Sequence, residues 1–390
     1  MKKKAKSFEV VVAGHVCIDI TPKISSDLSC KITNLLVPGK LTNIGDASIS
    51  AGGAVSNTGL ALTRLGVKTG LMGKVGDDLF GLGIRSLFKE WVAGDALTVV
   101  EGEKTSYSVI LALPGLDRII LHNPGANDTF TAGDINYDLV ADARLFHFGY
   151  PPLMRKMYIN SGRELVKIFR RVKKSGTVTS MDMSLPDPDS ESGQVDWNAV
   201  LAAVLPNVDI APFSAEEAMF VFNRKRFDEI RRVAGHNDPV GVFTISDFVG
   251  LADKILELGA GIALIKCGCK GLLLKTAGAA RLDALGLGSE WLVRTVWKNI
   301  FSVKNIVSAT GAGDSAIAGF LAGLIQGLSP EKCVSAAACV GAQNVQTFDA
   351  VSGIGSWQKT LRLMRDMKLK KEAPGPGWRF NIKEKVWVCS

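Results

Sequence analysis

Residues 307–320 read VSATGAGDSAIAGF, which sets Asp314 directly behind the closely spaced glycines Gly311 and Gly313. Beyond it Ile317, Phe320, Leu321, Leu324, Ile325 and Leu328 recur at helical spacing, so a helix is predicted to begin at the glycines and to end near Gly327, before Ser329-Pro330. A helix N-terminus presents unpaired backbone N–H groups and the positive end of the helix dipole, and small residues let a phosphate come close to the main chain. A carboxylate at that place has two readings. Asp314 is either a favourable charge or cap on the first turn, or a base that takes a proton from an attacking hydroxyl while the neighbouring N–H groups hold the phosphoryl group in transfer. With 41 glycines in the chain, this stretch by itself leaves both open.

Further candidates lie near the front. The stretch GHVCIDI puts Asp19 near the end of a predicted first strand, where the loops of a parallel sheet gather ligands. In AGGAVSNTGLALTRLG, Gly52 and Gly53 precede a helix that carries Asn57 near its start and closes at Gly66. A diglycine either lets backbone approach a ligand or makes a loose turn, and Asn57 either serves a hydroxyl-rich ligand as donor and acceptor or caps the helix. A third stretch, GKVGDDLFG at 73–81, reads as a strand running out into a turn. A Walker loop and the three-glycine dinucleotide fingerprint are both absent. Cys267 and Cys269 in KCGCKG lack a second pair nearby, which argues against a metal site. The four histidines show no ligand spacing, and His147 in LFHFG is expected in the core or at a pocket edge.

The elements that must position these residues are short apolar runs such as EVVVAGHV, ARLFHFG, TVTSMDM, VDIAPF and GIALIKCG, separated by helical patterns. Strands apolar on both faces and joined by helices imply a mostly parallel sheet covered on both sides, an α/β sandwich. Residues 105–127 read instead as an antiparallel hairpin turning at Pro114-Gly115, pairing with the irregular segment around 30–51 to form a small separate sheet. No internal repeat is evident. The 390 residues, 47% of them hydrophobic, can fill a large core. The net charge of +8 owes much to MKKKAKS and to a basic extension over 363–390, and no aromatic-and-basic motif supports a nucleic-acid partner. Seven cysteines scattered through apolar segments read as buried thiols of a reducing compartment. FEVVVAG is too short for a signal-peptide core and no stretch approaches the ~20 apolar residues of a membrane span, so a cytoplasmic protein without membrane partners is expected.

Taken together, GGAVSNTGLALTRLG, GKVGDDLFG and TGAGDSAIAGFLAGL resemble in order and spacing the PfkB, or ribokinase-like, sugar kinases, over residues 9 to 360. The resemblance implies a ribokinase-like three-layer sandwich, with a kinase domain over 1–362 and a small β-sheet lid drawn from about 30–51 and 104–127. It implies ATP as phosphoryl donor with Mg²⁺, and a sugar or sugar-acid acceptor beneath the lid; a nucleoside acceptor is the rival within the fold, and a non-catalytic sugar-binding or regulatory protein the rival from another class. By the same likeness Asp314 is the base, with the backbone of Gly311, Ala312 and Gly313 as its anion hole. Asp19, Gly52, Gly53, Asn57 and Asn127 fall on the acceptor side. Lys266, Gly268, Lys270, Gly271 and Asn344 fall on the nucleotide side, and Glu217 reaches magnesium through water. A homodimer joined through the lids is also expected. Three positions depart from the family pattern: Ser308-Ala309 stands where Asp-Thr is usual, which removes a carboxylate from a monovalent-cation site, Ser214 replaces the Asn of Asn-x-x-Glu, and MDMS replaces Asp-Pro-Asn with Asp182 retained.

Overall fold

Val10 and Val12 belong to one fully buried cluster and Val11 and Ala13 to another, so the first strand has a core on each of its faces. That is the burial expected of a central strand in a sheet covered on both sides. The computed structural model describes residues 6–24, 35–89, 96–112, 118–235, 237–282 and 285–389. Its main sheet has eleven strands, and the seven at one side run parallel: β1 (Phe8–Gly14), β4 (Thr69–Gly76), β5 (Ala96–Val100), β8 (Ala143–Gly149), β9 (Val178–Asp182), β10 (Ile210–Ala211) and β11 (Ile262–Lys266). At the other side β12 (Leu272–Thr276), β13 (Thr295–Lys298), β14 (Trp378–Asn381) and β15 (Val386–Cys389) continue it antiparallel. Helices α1 (Gly53–Arg64), α2 (Leu79–Lys89), α3 (Arg155–Lys174), α4 (Ala215–Phe222), α5 (Ile245–Glu257), α6 (Ala312–Ile325) and α7 (Pro330–Asn344) cover the two faces. Phe169 of α3 and Phe248 of α5 pack on one face, and Leu62 of α1 with Phe320 of α6 on the other.

A second sheet of four strands has the order β3-β2-β6-β7, where β2 is Cys17–Pro22, β3 is Ala47–Gly52, β6 is Tyr107–Leu111 and β7 is Ile119–Asn123. The hairpin β6–β7 is antiparallel, with Tyr107 opposite Asn123, although its turn at Pro114-Gly115 lies outside the described residues. Two sequence expectations change here. Asp19 is not at the end of the first strand of the main sheet: that strand stops at Gly14, whose φ of +119° turns the chain, and Asp19 lies on β2 in the small sheet. The early segment does not meet the hairpin directly either, because β2 lies between them, antiparallel to β3 and parallel to β6. The basic segment 363–390 supplies β14 and β15 to the main sheet; Val386 is fully buried and Trp387 Nε1 donates to Asn299 Oδ1 at 2.9 Å. No disulfide joins the six described cysteines, and no described helix is long and apolar enough to cross a membrane.

Candidate active site

Helix α6 begins as the glycine spacing predicts: Gly311 adopts φ +70° and ψ 6°, and Ala312 opens the helix. Asp314 lies in its first turn, only 3% exposed. The hydrogen bonds to its carboxylate come from other elements. Asn57 Nδ2 donates to Oδ2 at 3.1 Å and Thr58 Oγ1 to Oδ1 at 3.2 Å, both from α1. The Tyr150 hydroxyl, just past the end of β8, lies 2.8 Å from Oδ1 and 2.7 Å from Oδ2. A side chain that capped its own helix would turn back to its first N–H groups; this one is held by the elements opposite. Burial pushes the Asp314 carboxyl above the usual range, against the opposing pull of Lys266 and the three donors.

Lys266, at the end of β11, stands on the other side of the helix start, its Nζ only 3.6 Å from where a Cβ on Gly313 would lie. It donates to Asp182 Oδ1 at 2.8 Å. Although burial works against its charge, Asp182, Glu217 and Asp314 together raise its pKa, so it stays an ammonium. Burial lifts the Asp182 and Glu217 carboxyls above their ordinary range, again opposed by Lys266. Glu217 forms a capping box with Ser214 at the start of α4: Ser214 N donates to Glu217 Oε2 at 2.6 Å and Glu217 N to Ser214 Oγ at 3.1 Å. His147 lies beneath, fully buried, with Nδ1 2.9 Å from Ser180 Oγ; burial and the nearby Lys266 lower its pKa to about 3, so it is a neutral core residue.

Between the small sheet and the chain entering α6 lies a cleft of about 470 Å³, lined by Asp19, Ser50, Asn57, Arg118, Ser308 and Thr310 among others. Register explains its polar floor: Asp19 and Ser50, which line it, stand in one row with Ser108 and His122 across the four strands. Gly52 is required there, because a Cβ would come within 2.0 Å of Asp19 Oδ2. Gly53 is required by its φ of +83° and by His15, whose Nδ1 would be 2.5 Å from a Cβ. Burial raises the Asp19 carboxyl above its usual range. Asn127 is not among the cleft-lining side chains. Its carboxamide bonds backbone instead, accepting from Val16 N at 3.2 Å and donating to Val16 O at 2.9 Å and Pro124 O at 3.1 Å, which braces the link between the two sheets.

Residues 8–356 match the model of the pfkB family carbohydrate kinases. The chain belongs to that family. A protein of Archaeoglobus fulgidus described as an uncharacterized sugar kinase is 24% identical over 296 residues, covering 76% of this chain and 98% of that protein. Fructokinase-2 of Solanum habrochaites is 25% identical over 223 residues, or 56% of this chain; the match spans 63% of the fructokinase. The structure of Arabidopsis thaliana ribokinase complexed with ribose and ATP superposes with a TM-score of 0.68 at 20% identity, over 92% of this chain and 99% of the other, a likeness of fold.

On the side of the kinase read as nucleotide-facing, Gly268 at φ +49° and Gly271 at φ +124° shape the turn after β11, and a Cβ on Gly271 would meet Lys298 O at 2.1 Å. Lys270 Nζ donates to Gly241 O at 3.1 Å and Phe243 O at 2.6 Å, so its ammonium ties one loop to another. Asn344 Nδ2 donates to Ala350 O at 2.6 Å and thereby holds a residue that lines the cleft. Ser308 Oγ accepts from Thr310 N at 3.1 Å and lies 2.8 Å from Thr310 Oγ1, folding in on its own turn. Among the described residues no group of three or more His, Cys, Asp or Glu is arranged to hold a metal. Sequence reasoning missed Tyr150, His15, His122 and Arg118. His15 and His122 approach at 3.3 Å between their Nε2 atoms, and Arg118, just before β7, donates to Thr310 Oγ1. The one local signal for Tyr150 was its place before two prolines at a strand end, a position that favours extended backbone, whereas Tyr150 takes the left-handed region.

Proposed function

We propose that this carbohydrate kinase transfers the terminal phosphoryl group of ATP to a hydroxyl of a small sugar or sugar acid, with Asp314 as the general base. One observation carries the reading: a buried carboxylate in the first turn of α6 is held by side chains of α1 and by Tyr150 just past β8, beside a cleft whose floor is the Asp19 row. The backbone N–H groups of Gly311, Ala312 and Gly313 serve as anion hole for the transferred group, with Lys266 supplying positive charge beside them. Asp19, Asn57 and the backbone at Gly52–Gly53 orient the acceptor. Magnesium borne by the nucleotide neutralises phosphate charge when bound, and Glu217 holds it through water. The apolar outer face of the small sheet joins two copies as a homodimer, so that the sheet acts as lid and interface together.

The test is ATP consumption against a panel of sugars, sugar acids and nucleosides, run in parallel on Asp314→Asn. That substitution keeps size and polarity but removes the base, and turnover with the best acceptor is expected to fall by about 10²–10⁴-fold. Near-normal turnover in the folded variant would refute the assignment.

A further inference from the structure

A carboxylate offers roughly four acceptor positions. At Asp314 three donors cover both oxygens: Thr58 on Oδ1, Asn57 on Oδ2, and the single Tyr150 hydroxyl set between the two. An acceptor hydroxyl must come within hydrogen-bond reach of one of these oxygens before its proton can be taken; with the side chain only 3% exposed, a covering group has to give way to admit it. Asn57 and Thr58 belong to the body of α1 and are both buried. Tyr150 is different. It alone bridges both oxygens with a single hydroxyl, and it sits outside regular structure, between β8 and a short turn, with a left-handed backbone of φ 65° and ψ 44°. A tyrosine is held in that sparsely populated conformation only by its surroundings, and such strain gathers where a residue has two states to occupy.

We infer that the Tyr150 hydroxyl stands in for the acceptor: it occupies the place at Asp314 that the acceptor hydroxyl takes, and leaves when the acceptor arrives. The inference rests on Asp314 being the base. With burial and the neighbouring Asp314 and Asp182 charges holding its pKa well up, the phenol keeps its proton and remains a donor throughout the working range. While it is in place, no water reaches the carboxylate, and bound ATP is protected from attack by solvent. No bond forms or breaks in the exchange; one hydrogen-bond donor replaces another.

The experiment is ATP hydrolysis with no acceptor present, measured on the full chain, on Tyr150→Phe, on Tyr150→Leu and on Tyr150→Phe combined with Asp314→Asn. Thermal unfolding shows which Tyr150 variant is folded, and the folded variant is the one scored. Removing the hydroxyl should raise acceptor-independent hydrolysis by about tenfold or more, because water now reaches the base, and the rise should vanish in the double variant. Hydrolysis no faster than that of the unmodified protein, beside an Asp314→Asn variant that has lost acceptor-dependent turnover, overturns the stand-in role and leaves the base assignment intact. An active Asp314→Asn variant overturns the base assignment itself.

Discussion

As the proposed base, Asp314 faces two opposed demands: it must be ionised to accept a proton, and it is buried where ionisation is disfavoured. Its folded pKa is raised above the unfolded value, so its contribution to stability is complete below that unfolded value and is lost as pH rises through the folded one. Asp314→Asn should therefore be at least as stable as the unmodified protein in urea at pH 7.5, with the advantage disappearing in acid, even as turnover collapses. Lys266 is the strongest influence holding the carboxyl down against burial. Lys266→Met should move the acid limb of the kcat/KM profile to higher pH and lower the plateau by about tenfold or more; an unmoved limb would separate Lys266 from the base. Ser308 carries no charge and bonds within its own turn, so replacing potassium by a bulky organic cation at constant ionic strength should change activity by less than about twofold. Activation by potassium of about tenfold would show that the loop builds a cation site after all.

At the scale of the element, the junction of β3 and α1 does the positioning. Gly52 faces the carboxylate of Asp19 and Gly53 faces both the ring and the main chain of His15, so adjacent glycines answer to different neighbours. Gly52→Ala should push the Asp19 side chain aside, raising KM for the acceptor by about tenfold with little change in unfolding temperature. Gly53→Ala meets backbone as well as the His15 ring, since a Cβ would lie 2.6 Å from His15 O at a φ of +83°, and the main chain, unlike the ring, cannot yield. It should cost about 1–3 kcal/mol of stability, read from urea unfolding. If Gly52→Ala destabilises as much as Gly53→Ala while the acceptor KM stays put, the division of labour between them is wrong.

For the whole molecule, the small sheet presents two unlike faces. The row Ser50, Asp19, Ser108 and His122 faces the cleft, while the next row, Ile49, Ile20, Val109 and Leu121, lies on the opposite face, with Ile49 61% and Leu121 57% exposed. Ile20 packs that face partly on the core, and we propose that a second copy covers the part left exposed. Sedimentation should give twice the 41.6 kDa chain mass, and Ile49→Lys combined with Leu121→Lys should give a monomer. A monomer in the unmodified protein at micromolar concentration would refute the interface.

What was legible in the sequence is what depends on near neighbours along the chain. The start of α6 at the glycines, the closing of the preceding helix pattern at Gly66 with its φ of +83°, and the hairpin pairing Tyr107 with Asn123 follow from turn residues and side-chain period, which act over a few positions. The family was legible too, because its motifs are local and keep their order. The partners of Asp314 were not. Tyr150 is 164 residues away and Asn57 is 257, and nothing in either neighbourhood encodes the other. The same holds for β2, whose apolar alternation suits either sheet until Gly14 turns the chain, and for Trp378–Cys389, whose charge-rich surroundings hid the edge strand β14 and its neighbour β15. Side-chain period dictates which face a strand buries but not which strand lies beside it; pairing is settled only when the whole core closes, by which strand ends meet and which backbone groups would otherwise be left unbonded.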